Sequence, residues 1–386
     1  MASARARFWI LVSLVAISGF SQGMVLPLLA IILEQNGVAS SVNGLHATGL
    51  YIGVLIASPF LEKPMRKYGF KPIIVYGGML VFVSLALFSL WDALWFWFIL
   101  RMLIGIGDNM LHFGTQTWIT TTSSPQSRGR DIALYGLFFG VGFTLGPLMT
   151  QLLAINEALP FLLSALLSMV VWSMLLFVRN RWPEEDVNTG HGSSSFKRFI
   201  QTGKIAWVAL LPAFGYGFLE ATLHGIFPIY GLRIGHSVEM LSLIIPCFAA
   251  GSVLSQLPLG ILSDRFGRRN ILITVLTAGS ICFFLVTFFE SSILALFILF
   301  TLAGTFVGSL FSLSISYLAD ILPRSLLPTG NIMTGVAFSI GSITGPYLGG
   351  LFIELVPGIS FFYVIVVMLL LVLAATIYKK NLVTAS

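Results

Sequence analysis

Gly260-Ile261-Leu262-Ser263-Asp264-Arg265-Phe266-Gly267-Arg268-Arg269 gathers three arginines into a narrow break in an otherwise apolar run. Apolar stretches close in on both sides, 240–262 before it and 270–289 after it. A helix needs about 20 apolar residues to cross hydrocarbon, so each flank is long enough to span. Helix is the only regular form available there, because lipid offers no partner for backbone N–H and C=O groups and the residues show no strand-like alternation. The break reads as a bend at one membrane surface, and its charge reports which surface.

Outward from that bend the whole chain repeats the arrangement. Twelve apolar stretches can be marked: 8–33, 43–61, 72–90, 95–119, 131–154, 160–178, 205–232, 240–262, 270–289, 293–321, 327–355 and 360–378. All but two of the 21 Lys and Arg fall at the termini or in the even-numbered breaks; Arg233 sits in an odd break and Arg101 inside a stretch. The odd breaks carry acids instead, Glu34, Asp92, Glu157, Glu239, Glu290 and Glu354. This positive-inside pattern predicts an all-α membrane protein with twelve transmembrane helices and both termini cytoplasmic, a multi-pass protein of a bacterial cytoplasmic membrane.

Composition excludes several classes. Hydrophobic residues make up 57% and charged residues 9%, a balance suited to a surface that faces lipid. The net charge of +6 sits at helix ends, where anionic lipid attracts it, so no nucleic-acid partner is expected. Cys247 and Cys282 lie in apolar stretches and supply neither a disulfide framework nor zinc spacing. The apolar run after Arg5 and Arg7 continues to Leu33, longer than a cleaved signal, and reads as the first span. Gly105-Ile106-Gly107 and Gly140-Val141-Gly142 are not phosphate loops, since no strand precedes them and no Walker lysine follows. No catalytic residue, cofactor or metal site is expected, and the chain does not read as an enzyme.

One break is long. Residues 179–204 hold Pro183, Glu184, Glu185, Asp186 and Gly190-His191-Gly192-Ser193-Ser194-Ser195, the composition of a flexible linker. It separates an N-terminal six-helix bundle, 1–178, from a C-terminal one, 205–386. The halves echo each other. Tyr68-Gly69 matches Phe266-Gly267 and Pro125 matches Pro323 at an offset of 198, and Gly146-Pro147 matches Gly345-Pro346 at 199. Repeats of this kind put the substrate site near mid-membrane where the copies meet.

Three motifs carry a family resemblance. The opening loop closely resembles the G-x-L-x-D-R-x-G-R-R signature of the major facilitator superfamily, in Gly260, Asp264, Arg265, Gly267, Arg268 and Arg269. Leu100-Arg101-Met102-Leu103-Ile104-Gly105-Ile106-Gly107 is similar to its second motif. Gly341, Gly345, Pro346, Gly349 and Gly350 resemble its antiporter motif, which the family carries in helix 5; here helix 5 has Gly142, Gly146 and Pro147 but Thr150-Gln151 in place of Gly-Gly. Arg66 stands where Asp264 stands in the second half. The resemblance implies a conformational role for the loop and a central cavity lined by helices 1, 4, 7 and 10. Independently of it, the glycines permit close helix approach and the prolines favour kinks.

Three charged residues sit well inside apolar stretches, Arg101 and Asp108 in the fourth and Glu220 in the seventh. Charge at that depth is costly and marks functional sites, about 2.5–3.5 kcal/mol at the helix centre on insertion scales. Arg101, Asp108 and His112 form one narrow stripe on a helix, and Asp108 can touch His112 at i+4. Arg101 is about 10.5 Å of rise from Asp108, too far for an easy pair, so it has another partner or meets the substrate. Tyr216, Glu220 and His224 share one face of the seventh stretch. Asp108 and Glu220 are candidate proton or cation sites, because desolvation favours the neutral form of a carboxyl and modest changes in exposure load or release a proton. Arg101, His112, Tyr216, His224 and Gln22 are candidates for substrate contact or coupling. The competing reading is a buried structural pair. His46 is assigned no role, and Trp91, Trp95 and Trp97 are placed in an interfacial aromatic belt.

These readings predict a monomeric secondary transporter that moves a small solute by alternating access, with proton-coupled efflux favoured by resemblance to the drug-efflux branch. Its partners are a small-molecule substrate, protons and membrane lipids. An uptake symporter for a polar nutrient or organic anion, and a lipid flippase or non-transporting sensor on the same scaffold, remain alternatives.

Overall fold

A computed structural model of the chain describes residues 3–124, 128–183, 195–323 and 326–378. Pro125 and residues 184–194 of the linker lie outside the described residues. Among those described, helices follow one another with short breaks and there is no strand. In chain order they are α1 (Ala4–Gln35), α2 (Ser40–Ala47), α3 (Gly49–Ala57), α4 (Glu62–Tyr68), α5 (Phe70–Leu87), α6 (Leu94–Thr122), α7 (Arg128–Leu145) and α8 (Leu159–Ser173). Then come α9 (Ser195–Gly225), α10 (Phe227–Arg233), α11 (Val238–Phe266), α12 (Arg268–Phe289), α13 (Ile293–Val307), α14 (Leu310–Ile321), α15 (Leu327–Leu355) and α16 (Phe362–Tyr378).

Among the described residues, ten helical segments are long and apolar enough to cross a membrane. The bent pair Ser40–Phe60 and Glu62–Tyr68, angled by 56°, is an eleventh if taken as one span, and α16 is apolar but shorter. Large apolar side chains such as Leu254 and Leu257 are about three-quarters exposed, which is stable only against lipid. Several expected spans are interrupted. The second breaks at Thr48, the seventh between α9 and α10 ahead of Pro228, and the tenth between α13 and α14 at Gly308-Ser309. α7 gives way to a 3-10 stretch at Gly146-Pro147, whereas Pro346 is carried inside α15. Trp91 and Trp95 are exposed and packed edge to face, but Trp97 turns inward against Phe88. It lies about 160° around the helix from Trp95, on the opposite face.

The chain divides into two compact units, one of Met1–Ile32 and His46–Val187, the other of Leu33–Leu45 and Asn188–Ser386. In the first, α7 lies so close to α1 that a methyl group at Gly142 would overlap the Ala16 carbonyl. In the second, α15 lies so close to α9 that a methyl group at Gly341 would overlap the Phe214 carbonyl. The contacts correspond residue for residue at offsets of 198 and 199. The second unit also packs Ser40 and Gly44 against Gly350 and Pro346, and Arg233 makes a two-pronged ion pair with Glu34 at 2.7 and 3.2 Å.

The basic bends also correspond. Gly69 and Gly267 both have φ +87°, a left-handed turn that other residues adopt only with strain. Lys71 donates to the Val178 carbonyl at 2.7 Å, and Arg269, 198 residues later, donates to the Thr376 carbonyl at 3.1 Å. Their neighbours differ. Phe70 stacks on buried Trp118 with centroids 5.4 Å apart. At the matching position Arg268 bonds Asp320 at 2.9 Å, Asp264 at 3.2 Å and the Ser316 carbonyl.

Gly142→Leu and Gly341→Leu are each expected to destabilise the chain by overpacking, about 1–3 kcal/mol. Gly136→Leu, where added atoms meet open space, is the control. Thermal unfolding of the purified proteins in detergent reads the difference.

Candidate functional site

α6 carries the charged stripe. Arg101 is fully buried and its guanidinium is held on three sides. Nη1 donates to His46 Nδ1 at 3.1 Å, and Nη2 donates to the carbonyls of Val25 and Leu26 at 3.2 and 3.4 Å. His46 Nε2 lies 3.1 Å from the Leu94 carbonyl, which fixes that nitrogen as the donor and leaves Nδ1 free to accept from arginine. No carboxylate lies within ion-pair distance of Arg101 among the described residues. The partner left open by the sequence is thus an imidazole and two backbone carbonyls. His46, assigned no role from its position in an apolar stretch, is one of the residues that make the buried cation tolerable. Burying an ion without compensation costs several kcal/mol, and hydrogen bonds to the ion offset it.

Asp108 lies two turns further along α6 and is also buried. The Ser18 hydroxyl on α1 donates to Asp108 Oδ1 at 2.6 Å, and Gln22, one turn along α1, approaches the same carboxyl group. Oδ2 has no hydrogen-bond partner among the described residues. Asp108 and His112 do not bond each other directly. Ser18 Oγ stands between them, 3.3 Å from His112 Nε2, while His112 Nδ1 lies 2.6 Å from the Tyr135 hydroxyl on α7. Gln22, Asp108 and His112 are therefore brought together, and Arg101 belongs to a separate cluster. Ser18 and Tyr135 were missed by sequence reading. Ser18 shares the Gln22 face at i+4 spacing, a signal that was present. Nothing in the sequence pairs Tyr135 with His112.

Glu220 sits on α9 in the second unit and is only half-buried. Tyr216, one turn earlier, hydrogen-bonds its carboxyl group, and His224, one turn later, bonds the Glu220 backbone carbonyl through Nδ1 at 2.8 Å. Tyr216 also faces Phe338 at 6.1 Å between centroids, and Phe338 meets Phe311 edge to face at 5.5 Å. The carboxyl group thus lies beside aromatic surface. The loop residues form a different structure, in which Asp264 and Arg268 pair and Arg269 closes the end of α16. Gly142, Gly146, Gly341, Gly345 and Gly349 face the helices they pack against. Among the described residues no three His, Cys, Asp or Glu side chains gather as a metal site.

A separate hollow of about 180 Å³ lies at the loops between α5 and α6 and before α8, lined by Ser89, Asp92, Trp97, Asn156, Glu157 and Phe161 among others. Partial burial, and then the neighbouring Asp92 charge, push the Glu157 carboxyl above its ordinary value. A raised folded-state value means that ionised Glu157 opposes folding, so its protonated contribution is present at low pH and is lost as pH rises through that value. Glu157→Gln is expected to raise the unfolding midpoint at neutral pH and leave it unchanged in acid.

The Arg101 cluster predicts a thermodynamic cycle. His46→Ala is expected to destabilise by about 1.5–3 kcal/mol, the range for a hydrogen bond to a charged group. Adding Arg101→Met is expected to recover part of that loss, because the stranded charge is gone. Thermal unfolding of the two single variants and the double variant measures the coupling.

Comparison with known proteins gives consistent relatives. The sequence profile of the Major Facilitator Superfamily matches residues 11–241 and 209–384. The chain is 51% identical over 362 residues to the uncharacterized MFS-type transporter YfkF of Bacillus subtilis (strain 168), covering 93% of this chain and 92% of that one. It is 21% identical over 344 residues to the uncharacterized MFS-type transporter YcaD of Salmonella heidelberg, covering 86% and 87%. Among solved structures, a mutant of the nucleoside transporter NupG superposes with a TM-score of 0.80 at 13% identity, covering 97% of this chain and 100% of that one. A bacterial homolog to the human lysosomal transporter Spinster, inward-facing and unoccupied, gives 0.74 at 16% identity, covering 98% and 97%. At these identities the solved structures speak for the fold alone.

Proposed function

The chain belongs to the major facilitator superfamily, and from that premise we propose that it is a proton-coupled secondary transporter that exports a small solute by alternating access. The observation that carries the coupling is Asp108, a carboxyl group buried in a spanning helix, linked to hydroxyl and imidazole groups and lacking a cationic partner among the described ion pairs. A carboxyl so placed gains or loses a proton when its surroundings change. Glu220, half-buried beside Tyr216, is the second proposed proton or cation site. The burial of Arg101 and its hydrogen bonds to His46 and two backbone carbonyls weigh against the reading in which it binds a substrate anion.

The same proposal has twelve crossings, with the bent pair and α16 added to the ten long helices, and both termini on the basic, cytoplasmic side. Residues 1–178 and 205–386 act as the two bundles, 179–204 as their linker, and the chain works as a monomer in a bacterial cytoplasmic membrane.

A thermal-shift screen of the purified chain against small solutes supplies a ligand. In inverted vesicles energised by a proton gradient, that solute is expected to accumulate and to escape when the gradient is collapsed. Asp108→Asn and Glu220→Gln are expected to abolish accumulation while keeping the ligand-induced thermal shift. Accumulation that survives an uncoupler, or that is unchanged in both variants, overturns the proposal.

A further inference from the structure

Tyr135 poses a packing question. Its ring lies in an apolar cluster with Leu11, Trp118 and Leu175, where phenylalanine would fill the same space. Its hydroxyl points instead at His112 Nδ1, 2.6 Å away. His112 Nε2 lies 3.3 Å from Ser18 Oγ, and Ser18 Oγ lies 2.6 Å from Asp108 Oδ1. Four side chains from α1, α6 and α7 thus form one unbroken file of hydrogen bonds.

The file has a definite polarity. Ser18 has a single hydroxyl proton and gives it to Asp108, so His112 Nε2 must donate to Ser18. In a neutral imidazole Nδ1 is then an acceptor, and Tyr135 donates to it. Every donor points toward the carboxylate. When Asp108 carries a proton the whole file reverses: the carboxyl donates to Ser18, Ser18 to Nε2, and Nδ1–H to the tyrosine oxygen. The tyrosine hydroxyl then has a second acceptor, the His112 carbonyl at 3.4 Å. The two arrangements differ by one proton on Asp108.

We propose that Ser18, His112 and Tyr135 are a proton relay that connects Asp108 to the basic end of the first unit. This rests on the reading of Asp108 as a coupling site and extends it to the route. In the discharging direction Asp108 gives its proton to Ser18, Ser18 gives its own to Nε2, Nδ1 gives its proton to Tyr135, and Tyr135, buried in this structure, releases its own when alternating access admits water to it. Each O–H or N–H bond broken is matched by one formed on the next atom, and the file is left in its carboxylate-directed form. Tyr135 is the eighth residue of α7, and Asp131, one turn nearer the helix start, accepts from Ser123 at 2.7 Å. The groups facing Asp108 are Ser18 and Gln22 from α1 and Tyr135 from α7; Phe139 of α7 covers the His112 ring at 4.9 Å. No lysine, arginine or second carboxyl forms an ion pair with Asp108 among the described residues.

The test uses the purified full chain in lipid nanodiscs and needs no substrate. Time-resolved infrared spectroscopy after a pH jump follows the protonated-carboxyl band, assigned to Asp108 as the part lost in Asp108→Asn. Tyr135→Phe and His112→Gln are expected to slow its relaxation by roughly a hundredfold, the scale on which a positioned proton carrier acts, with little change in the equilibrium midpoint for Tyr135→Phe. Ser18→Thr keeps a hydroxyl and is expected to relax faster than Ser18→Ala. In wild-type protein the rate across H2O–D2O mixtures is expected to fall along a bowed line, as several protons move together. A purely structural role predicts lower thermal stability with unchanged relaxation. Unchanged relaxation in Tyr135→Phe and His112→Gln, or a linear isotope dependence, overturns the relay and leaves Asp108 as a coupling site. A pH-insensitive band, or none that depends on Asp108, removes the coupling reading itself.

Discussion

Hydrocarbon supplies no hydrogen bonds, and most of this molecule can be understood as the consequence. A backbone that crosses lipid must close its own hydrogen bonds, so the described spans are helical apart from short breaks. A side chain with a charge or a hydroxyl must find a partner inside the protein, because none waits outside. Arg101 finds an imidazole and two carbonyls, and Asp108 finds a serine. The hydroxyls of Thr115, Ser21 and Thr144 turn back to carbonyls of their own helices. Among these groups, the carboxyls of Asp108, with one oxygen unpartnered, and of Glu220, on a partly buried side chain, are the acids set inside spanning helices.

The two units solve the same packing problem with matched backbone and different side chains. Glycines at equivalent positions let α7 lie on α1 and α15 lie on α9, and equivalent basic residues close the last helix of each described repeat. Close approach of this kind matters in lipid, where packing rather than water exclusion holds helices together. The ionisable groups do not repeat. At the offset that relates the halves, Phe306 stands opposite Asp108 and Gln22 stands opposite Glu220. The scaffold is duplicated and the chemistry is not, so each unit offers a different ionisable group.

Much of the fold was legible in the sequence. Apolar length gave the helices, basic residues marked the bends, and the offset of 198 between Gly69 and Gly267 reappears as a shared left-handed turn. Breaks inside spans were less legible. The interruption at Gly308-Ser309 falls in a segment that is apolar enough as a whole to cross a membrane, and apolarity measures preference for lipid and not helical continuity. The stripe on α6 was readable because it lies on one helix. Its partners were not, because Ser18, His46 and Tyr135 come from other helices and their meeting depends on rotation about each axis, which spacing along one segment does not encode. Trp97 erred for the same reason: proximity in sequence to Trp91 and Trp95 did not give it their face.

The basic bends differ in a way that reaches beyond architecture. One corner rests on the stacked faces of Phe70 and Trp118, the other on Arg268 shared between Asp264 and Asp320, both of them largely open to solvent. Dissolved ions weaken attraction between exposed charges but leave apolar stacking intact or strengthened. Salt concentrated around these ends is therefore expected to weaken the second corner more than the first. A protein assembled from two near copies acquires in this way an unequal response to the ionic state of its surroundings, through a difference at a single pair of equivalent positions.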